Sequence, residues 1–126
     1  MRDPDPAGLT WGVLDAGINA AEGVRNEIHA LLPLVPRAGE HRTYRLTGPS
    51  CTLGDLLFPA CSLPPLEPGD GLAIMDTGAY FVPFATCFSF PRPGIVMIDG
   101  GRERVLRRFE TFDDMVSLEA SERHDE

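Results

Sequence analysis

The sequence predicts a mainly β domain, a compact Greek-key-like β-barrel or sandwich with one or two short helices. Three observations predict it. Thirteen Gly and twelve Pro in 126 residues divide the chain into short pieces joined by tight turns. Between those turns lie about six to eight short apolar or alternating runs, against two stretches with helical spacing. With 43% hydrophobic residues, a single domain of this length buries roughly two-thirds of its unfolded surface and needs no staples.

Residues 1–9 read as an acidic, proline-bearing lead-in, residues 10–120 as one β-domain and residues 121–126 as a polar tail. Leu9–Leu14 reads as a strand ending at Asp15-Ala16-Gly17. Ile18, Ala21, Val24 and Ile28 fall at helical spacing, weakened by Gly23. His29–Val35 is a strand stopped by Pro33 and Pro36. Thr43–Thr47 alternates as a half-buried strand, and Gly48-Pro49 turns the chain. An apolar run from Asp55 ends at Pro59, and 63–70 is a loop stiffened by Pro64, Pro65 and Pro68. Pro68-Gly69 suits the centre of a type II turn, because Pro fixes φ at one central position and Gly tolerates positive φ at the next.

Leu72–Met75 is a strand broken at Asp76–Gly78. Phe81–Phe90, with Pro83 inside it, is an irregular or edge segment. Gly94–Ile98 reads as the clearest buried strand, and Asp99-Gly100-Gly101 turns it into the alternating Glu103–Phe109. Thr111 caps a final helix with acids in its first turn, expected to dock through Phe112 and Val116.

A net charge of −8 argues against nucleic acid and against an anionic membrane as partners. The opening Met1–Pro6 has no apolar run of the signal-peptide kind, and the expectation is a soluble, cytoplasmic chain. Cys51, Cys61 and Cys87 include no Cys-x-x-Cys pair, which speaks against a disulfide framework and against a zinc site. All eleven basic residues are Arg. Without a lysine side chain the chain cannot form the Schiff base of lysine-amine chemistry.

Cys51 follows Gly-Pro-Ser, so a rigid turn can present its thiol to a cleft, while burial as a small hydrophobe is the plainer alternative. For Cys61 and Cys87, in apolar surroundings, the core reading is favoured. Tyr80 either points its hydroxyl at a ligand or is satisfied by a neighbouring carbonyl. Asp15 and Asp76 each come two residues before a glycine at a strand end and Asp55 follows Gly54, places where Asp often bonds its own turn backbone. His29, His41 and His124 are scattered and form no catalytic constellation. Asp99-Gly100-Gly101 precedes no helix directly, so it is a turn and not a phosphate loop.

Several ordered motifs carry a resemblance. Gly48-Pro49-Ser50-Cys51-Thr52-Leu53-Gly54-Asp55, Leu63-Pro64, Pro68-Gly69-Asp70 and Asp76-Thr77-Gly78-Ala79-Tyr80 resemble the C-terminal β-domain of fold-type III pyridoxal-phosphate decarboxylases, with the diaminopimelate branch the nearer. The resemblance continues through Pro91-Arg92-Pro93, Ile95–Ile98 and Glu110-Thr111-Phe112, and Asp15-Ala16-Gly17 matches the opening strand end. It implies an active site between two subunits, with pyridoxal phosphate held by an α/β-barrel that supplies the lysine. By the same resemblance Cys51 is catalytic near the substrate carbon. Thr52, Asp55 and Asp15 are substrate-binding, Tyr80 meets the cofactor, and no residue binds a metal.

The departures are as informative. Thr52 stands where these enzymes often carry an acid for the substrate's distal amine. Glu22-Gly23-Val24-Arg25 replaces the family's Arg-Pro-x-Leu-Tyr pattern, and Phe88 replaces an asparagine. The leading expectation is the β-domain subunit of a split, two-polypeptide decarboxylase, inactive alone, completing the site of a separate barrel subunit that acts on an amino acid. The alternatives are a non-catalytic regulatory module docked on a full-length decarboxylase, and a domain of a longer enzyme. An exposed patch at Phe81, Val82, Phe84, Phe88 and Phe90 is expected under either association.

Overall fold

The structure is a computed structural model and describes residues 8–21 and 28–119. The lead-in before Gly8, the Glu22–Arg25 segment and the tail lie outside those residues. The elements are β1 (Thr10–Val13), α1 (Ile18–Ala21), β2 (Leu31–Pro33), β3 (Arg42–Thr47), a 3-10 turn (Leu53–Asp55), β4 (Leu56–Leu63), β5 (Leu72–Ile74), α2 (Phe81–Phe84), β6 (Ile95–Asp99), β7 (Arg102–Arg107) and α3 (Phe112–Met115). The protein is mainly β with short helices, as its composition predicts. Among the described residues the strands form three separate sheets, β1-β3-β4, β2-β5 and β6-β7, and do not close into one barrel.

The central sheet pairs β1 parallel to β3 and β3 antiparallel to β4. Alternation along β3 buries Tyr44 and Leu46 against Leu63 of β4, with Leu14, Leu31, Phe58 and Leu72 around them. Each such side chain contributes roughly 1.5–3 kcal/mol on burial. The Tyr44 hydroxyl is not left unpaired: it accepts from the Leu66 N–H at 2.9 Å. A second cluster joins Ala21 of α1, Leu57 of β4 and Phe81 of α2. The Cys61 thiol donates to the Tyr44 carbonyl at 3.5 Å, and burial pushes its pKa up to about 11.

Four expectations need correction. First, β4 runs through Pro59 and does not end there. The register shifts between the Tyr44–Cys61 and Leu46–Phe58 pairs, so the proline sits exposed at a bulge where no ladder donor is needed. Second, the 81–84 segment is a helical turn; Pro83 is tolerated there because first-turn N–H groups lack intrahelical acceptors. Third, Ile95–Ile98 is a strand but not a buried one: Val96 is 53% and Ile98 72% exposed. It pairs with β7 in a two-stranded sheet separate from the other two among the described residues. Fourth, Phe112 is exposed and does not dock α3.

The turn chemistry follows the sequence. Gly69 has φ +95° and the Asp70 N–H bonds the Glu67 carbonyl at 3.0 Å. Gly100 and Gly101 both take positive φ between the paired Asp99 and Arg102, as a type I′ hairpin turn requires. Thr111 and Asp114 form a reciprocal capping box at α3. Among the described residues no helix is long and apolar enough to cross a membrane.

Candidate functional site

The site is built at one end of the parallel pair β1–β3. Val13 lies opposite Thr47, and the Leu14 N–H continues the ladder to the Thr47 carbonyl at 2.8 Å. The loop after β1 (Asp15–Gly17) and the turn after β3 (Gly48–Cys51) therefore leave the sheet side by side. Two glycines let them touch: a Cβ on Gly48 would lie 2.4 Å from the Gly17 Cα.

Asp55 occupies the space beneath both. It is 1% exposed. Its Oδ1 accepts the Ile18 N–H at 2.9 Å and its Oδ2 the Ser50 N–H at 2.6 Å. Its backbone closes the same turn, accepting from Gly48 at 2.8 Å and donating to Thr52 at 3.0 Å. Both carboxylate oxygens of Asp55, which the resemblance places at the substrate, bond backbone donors inside the domain.

Cys51 stands on top of this turn as an exposed, free thiol. Thr52 follows as the cap of the 3-10 turn, its hydroxyl accepting the Gly54 N–H at 3.3 Å. Leu53 is almost fully exposed, so the tip carries an apolar side chain toward solvent. Asp15 is also exposed and borders a cavity of about 440 Å³ lined by Val13, Leu14, Gly69, Asp70, Leu72 and Ile74. Cys51, Thr52, Asp15 and Asp55 are thus brought to one end of the domain.

Tyr80 lies on another segment, at the start of α2. It is 64% exposed, holds a left-handed backbone at φ +67°, and stacks on Phe84 at 5.8 Å between ring centroids. A non-glycine residue in that conformation costs of order 1–3 kcal/mol, tolerated where surroundings over-determine it. Here the next residue, Phe81, is buried in the second core cluster and pins the segment. Val82, Phe84 and Phe88 are exposed beside it, while Phe81 closes inward and Phe90 is half-buried.

Two supports were not legible beforehand. Buried Asn19 accepts the Gly17 N–H at 2.8 Å and donates to the Pro91 carbonyl at 3.0 Å, tying α1 to the segment before β6. Farther along, Arg92 forks onto Glu110 through Nε at 2.8 Å and Nη2, and its N–H reaches the other oxygen at 3.0 Å. Those bonds, side chain first, hold the Glu110 carboxyl down to about 2, with the Cys87 thiol donating as well at 3.6 Å. For Asn19 the only sequence signal was the polar residue itself; Arg92 and Glu110 stood in the motifs that carry the resemblance, but their pairing across 18 residues was not legible there.

Residues 4–78 match the sequence profile of the pyridoxal-dependent decarboxylase C-terminal sheet domain. Diaminopimelate decarboxylase of Vibrio cholerae is 32% identical over 115 residues, 87% of this chain and 27% of that protein. The Bacillus subtilis enzyme is 35% identical over 86 residues, 66% of this chain and 20% of that protein. The crystal structure of diaminopimelate decarboxylase from M. jannaschii superposes at TM-score 0.84 and 25% identity, over 95% of this chain and 28% of that one. The Helicobacter pylori enzyme, complexed with L-lysine, superposes at 0.76 and 30% identity over 86% and 28%. The chain thus spans 20% to 27% of the length of these two curated relatives. With residues 4–78, 75 of its 126, matching the profile and a relative 32% identical over 87% of its length, the chain belongs to the pyridoxal-dependent decarboxylase family, as the C-terminal sheet domain.

Proposed function

We propose that this chain completes the active site of a pyridoxal-phosphate-binding α/β-barrel carried on a separate polypeptide, the two together decarboxylating an amino acid. One observation carries the reading: an exposed thiol, Cys51, stands on a turn fixed from beneath, in a chain without lysine. The chain's own residues do not fit pyridoxal phosphate as a covalently held cofactor, since no amine side chain is present to bind it.

What the chain offers is positioned donors. When the bond from a substrate carbon to its carboxylate breaks and carbon dioxide leaves, the electron pair stays on that carbon and a proton must be returned. The Cys51 Sγ–H can supply that proton, and solvent then reprotonates the thiolate. Thr52 brings a neutral hydroxyl, already accepting a backbone N–H, so it offers no carboxylate to grip a distal ammonium. A substrate whose side chain is not an amine suits that environment. Exposed Asp15 and Tyr80 are the proposed contacts to substrate and to the partner-held cofactor.

The test is reconstitution. Mixing the chain with a candidate barrel polypeptide should give a complex that releases carbon dioxide when neither part does so alone. Absence of both binding and release sinks the proposal. Cys51→Ala should remove release and keep binding. If binding persists and the partner's activity is modulated equally by the Cys51→Ala chain, the regulatory-module reading replaces it.

A further inference from the structure

We propose that Asp55 is the positioning residue of this site: a buried carboxylate that holds the Cys51 turn and the Asp15–Gly17 loop together as one unit. The inference deepens the reading of Cys51 as the working thiol and rests on it for its functional meaning.

The bonds single Asp55 out. Its two oxygens take N–H groups from segments 37 and 5 residues away, Ile18 at 2.9 Å and Ser50 at 2.6 Å. Ser50 directly precedes Cys51, and Ile18 begins α1, directly after the Asp15–Gly17 loop. The carboxylate therefore grips the base of both site-bearing segments, not the middle of the sheet.

An ionised carboxylate is an acceptor on both oxygens and can serve two donors at once. A carboxamide of the same shape cannot, because its NH₂ must face one of the two N–H groups. The site is also cut to admit the carboxylate. A Cβ on Gly17 would lie 2.0 Å from Oδ1, and one on Gly48 2.2 Å from the same atom. Only glycine at both positions lets the two segments close around it.

A role as direct substrate contact does not match a side chain 1% exposed. Among the described residues no ion pair neutralises it, so its burial is sustained by aimed backbone dipoles. Through α1 the hold extends further. Ile18 accepts the Thr86 N–H at 3.1 Å, and Ala21 packs with Phe81 beneath the Tyr80 segment.

The test uses the whole 126-residue chain and reads it locally. In Asp55→Asn, amide exchange at Ser50 and Ile18 should accelerate on the order of tenfold, because charge-assisted bonds are lost at those two groups alone. Exchange at Tyr44 and Leu46 in the central sheet should stay as in the parent. Alkylation of Cys51 by iodoacetamide should quicken several-fold, since the turn that carries this exposed thiol loosens. Cys61 serves as the unchanged internal reference. Gly48→Ala should reproduce the pattern by pushing the carboxylate out, and Leu53→Ala, at the exposed tip of the same turn, should not.

Unchanged exchange at Ser50 and Ile18 overturns the proposal. So does equal acceleration at Tyr44 and Leu46, or failure of both Asp55→Asn and Gly48→Ala to fold, because Asp55 would then serve domain stability at large. None of these readouts needs a barrel partner. A failed reconstitution with a positive local result therefore condemns the split-enzyme reading and leaves the positioning role standing.

Discussion

The two ends of this domain are held by different physics. Around β3 and β4 the side chains of Tyr44, Leu46, Leu57 and Leu63 are buried, and one carboxylate ties the flanking loops. Around β6, β7 and α3 the apolar side chains Val96, Ile98, Val105, Leu106, Phe109 and Phe112 are all more than half exposed. That end is tied by ion pairs, Arg92 on Glu110 and Arg108 on Asp114 at 2.6 and 2.7 Å. The lesson is where rigidity is placed. Cys51 rides on the packed end, so its turn has a fixed floor, whereas the hairpin end depends on surface electrostatics that solvent weakens.

The largest expected effect concerns the thiol. In a reconstituted complex Cys51→Ala should lower turnover by roughly 10²–10⁴-fold, the range for a positioned proton donor. Stability should not move, because the side chain is exposed. A full loss of fold on this substitution would break the contrast, since it would make Cys51 part of the packed floor.

Next come the floor itself and its depth. Leu57→Ala removes a side chain 2% exposed that meets Ala21 and Phe81. It should cost about 2–5 kcal/mol by denaturant unfolding, as transfer and cavity terms add. A cost under ~1 kcal/mol would mean that the second cluster is not a core.

Acid should separate the ends. The Glu110 carboxyl is lowered from its ordinary 4.5 to about 2, first by the Arg92 side chain and then by its N–H. Asp114 is held well below the usual carboxylate range by Arg108. A depressed folded-state pKa gives stability that is complete above the unfolded value and is lost as pH falls through the folded one. Between pH 4.5 and about 2, the Arg92 side-chain N–H resonances should therefore lose protection. The Tyr44 and Leu46 amides should keep theirs over the same range. Simultaneous loss at both would show one cooperative unit with no weaker end.

Much of the fold was legible because local chemistry decided it. Pro68-Gly69 and Gly100-Gly101 could only be turns, Thr111 and Asp114 could only cap, and the alternation along β3 placed Tyr44 and Leu46 inward. What stayed hidden depended on partners remote in sequence. The run through Pro59 needed the bulge opposite Arg45, whose Nε bonds the Pro59 carbonyl at 3.0 Å. The apolar pattern of Ile95–Ile98 gave a strand but not its burial, since burial requires a covering layer that no local pattern encodes. For the candidate site, the Gly-Pro-Ser turn allowed either a presented or a buried Cys51, and the thiol is exposed. Asp55 was legible as a turn aspartate, but its bonds to the Ile18 and Ser50 N–H groups were not, because Gly17 and Gly48, which make room for its carboxylate, come together only on folding.

The smallest expected effect tests the other end of the comparison. Ile98→Thr keeps a β-branched side chain on β6, so strand propensity is largely preserved and the change reads burial alone. With Ile98 72% exposed and paired only across the hairpin to Glu103, denaturant unfolding of the chain should shift within about 0.5 kcal/mol. Leu57→Ala, by the same measurement, should be several times larger. A cost for Ile98→Thr of the size expected for Leu57→Ala would mean that the hairpin is covered in solution by another face of the chain or by a second copy. Repeating the titration over a range of protein concentrations tells these apart, because only a second copy makes the midpoint rise with concentration.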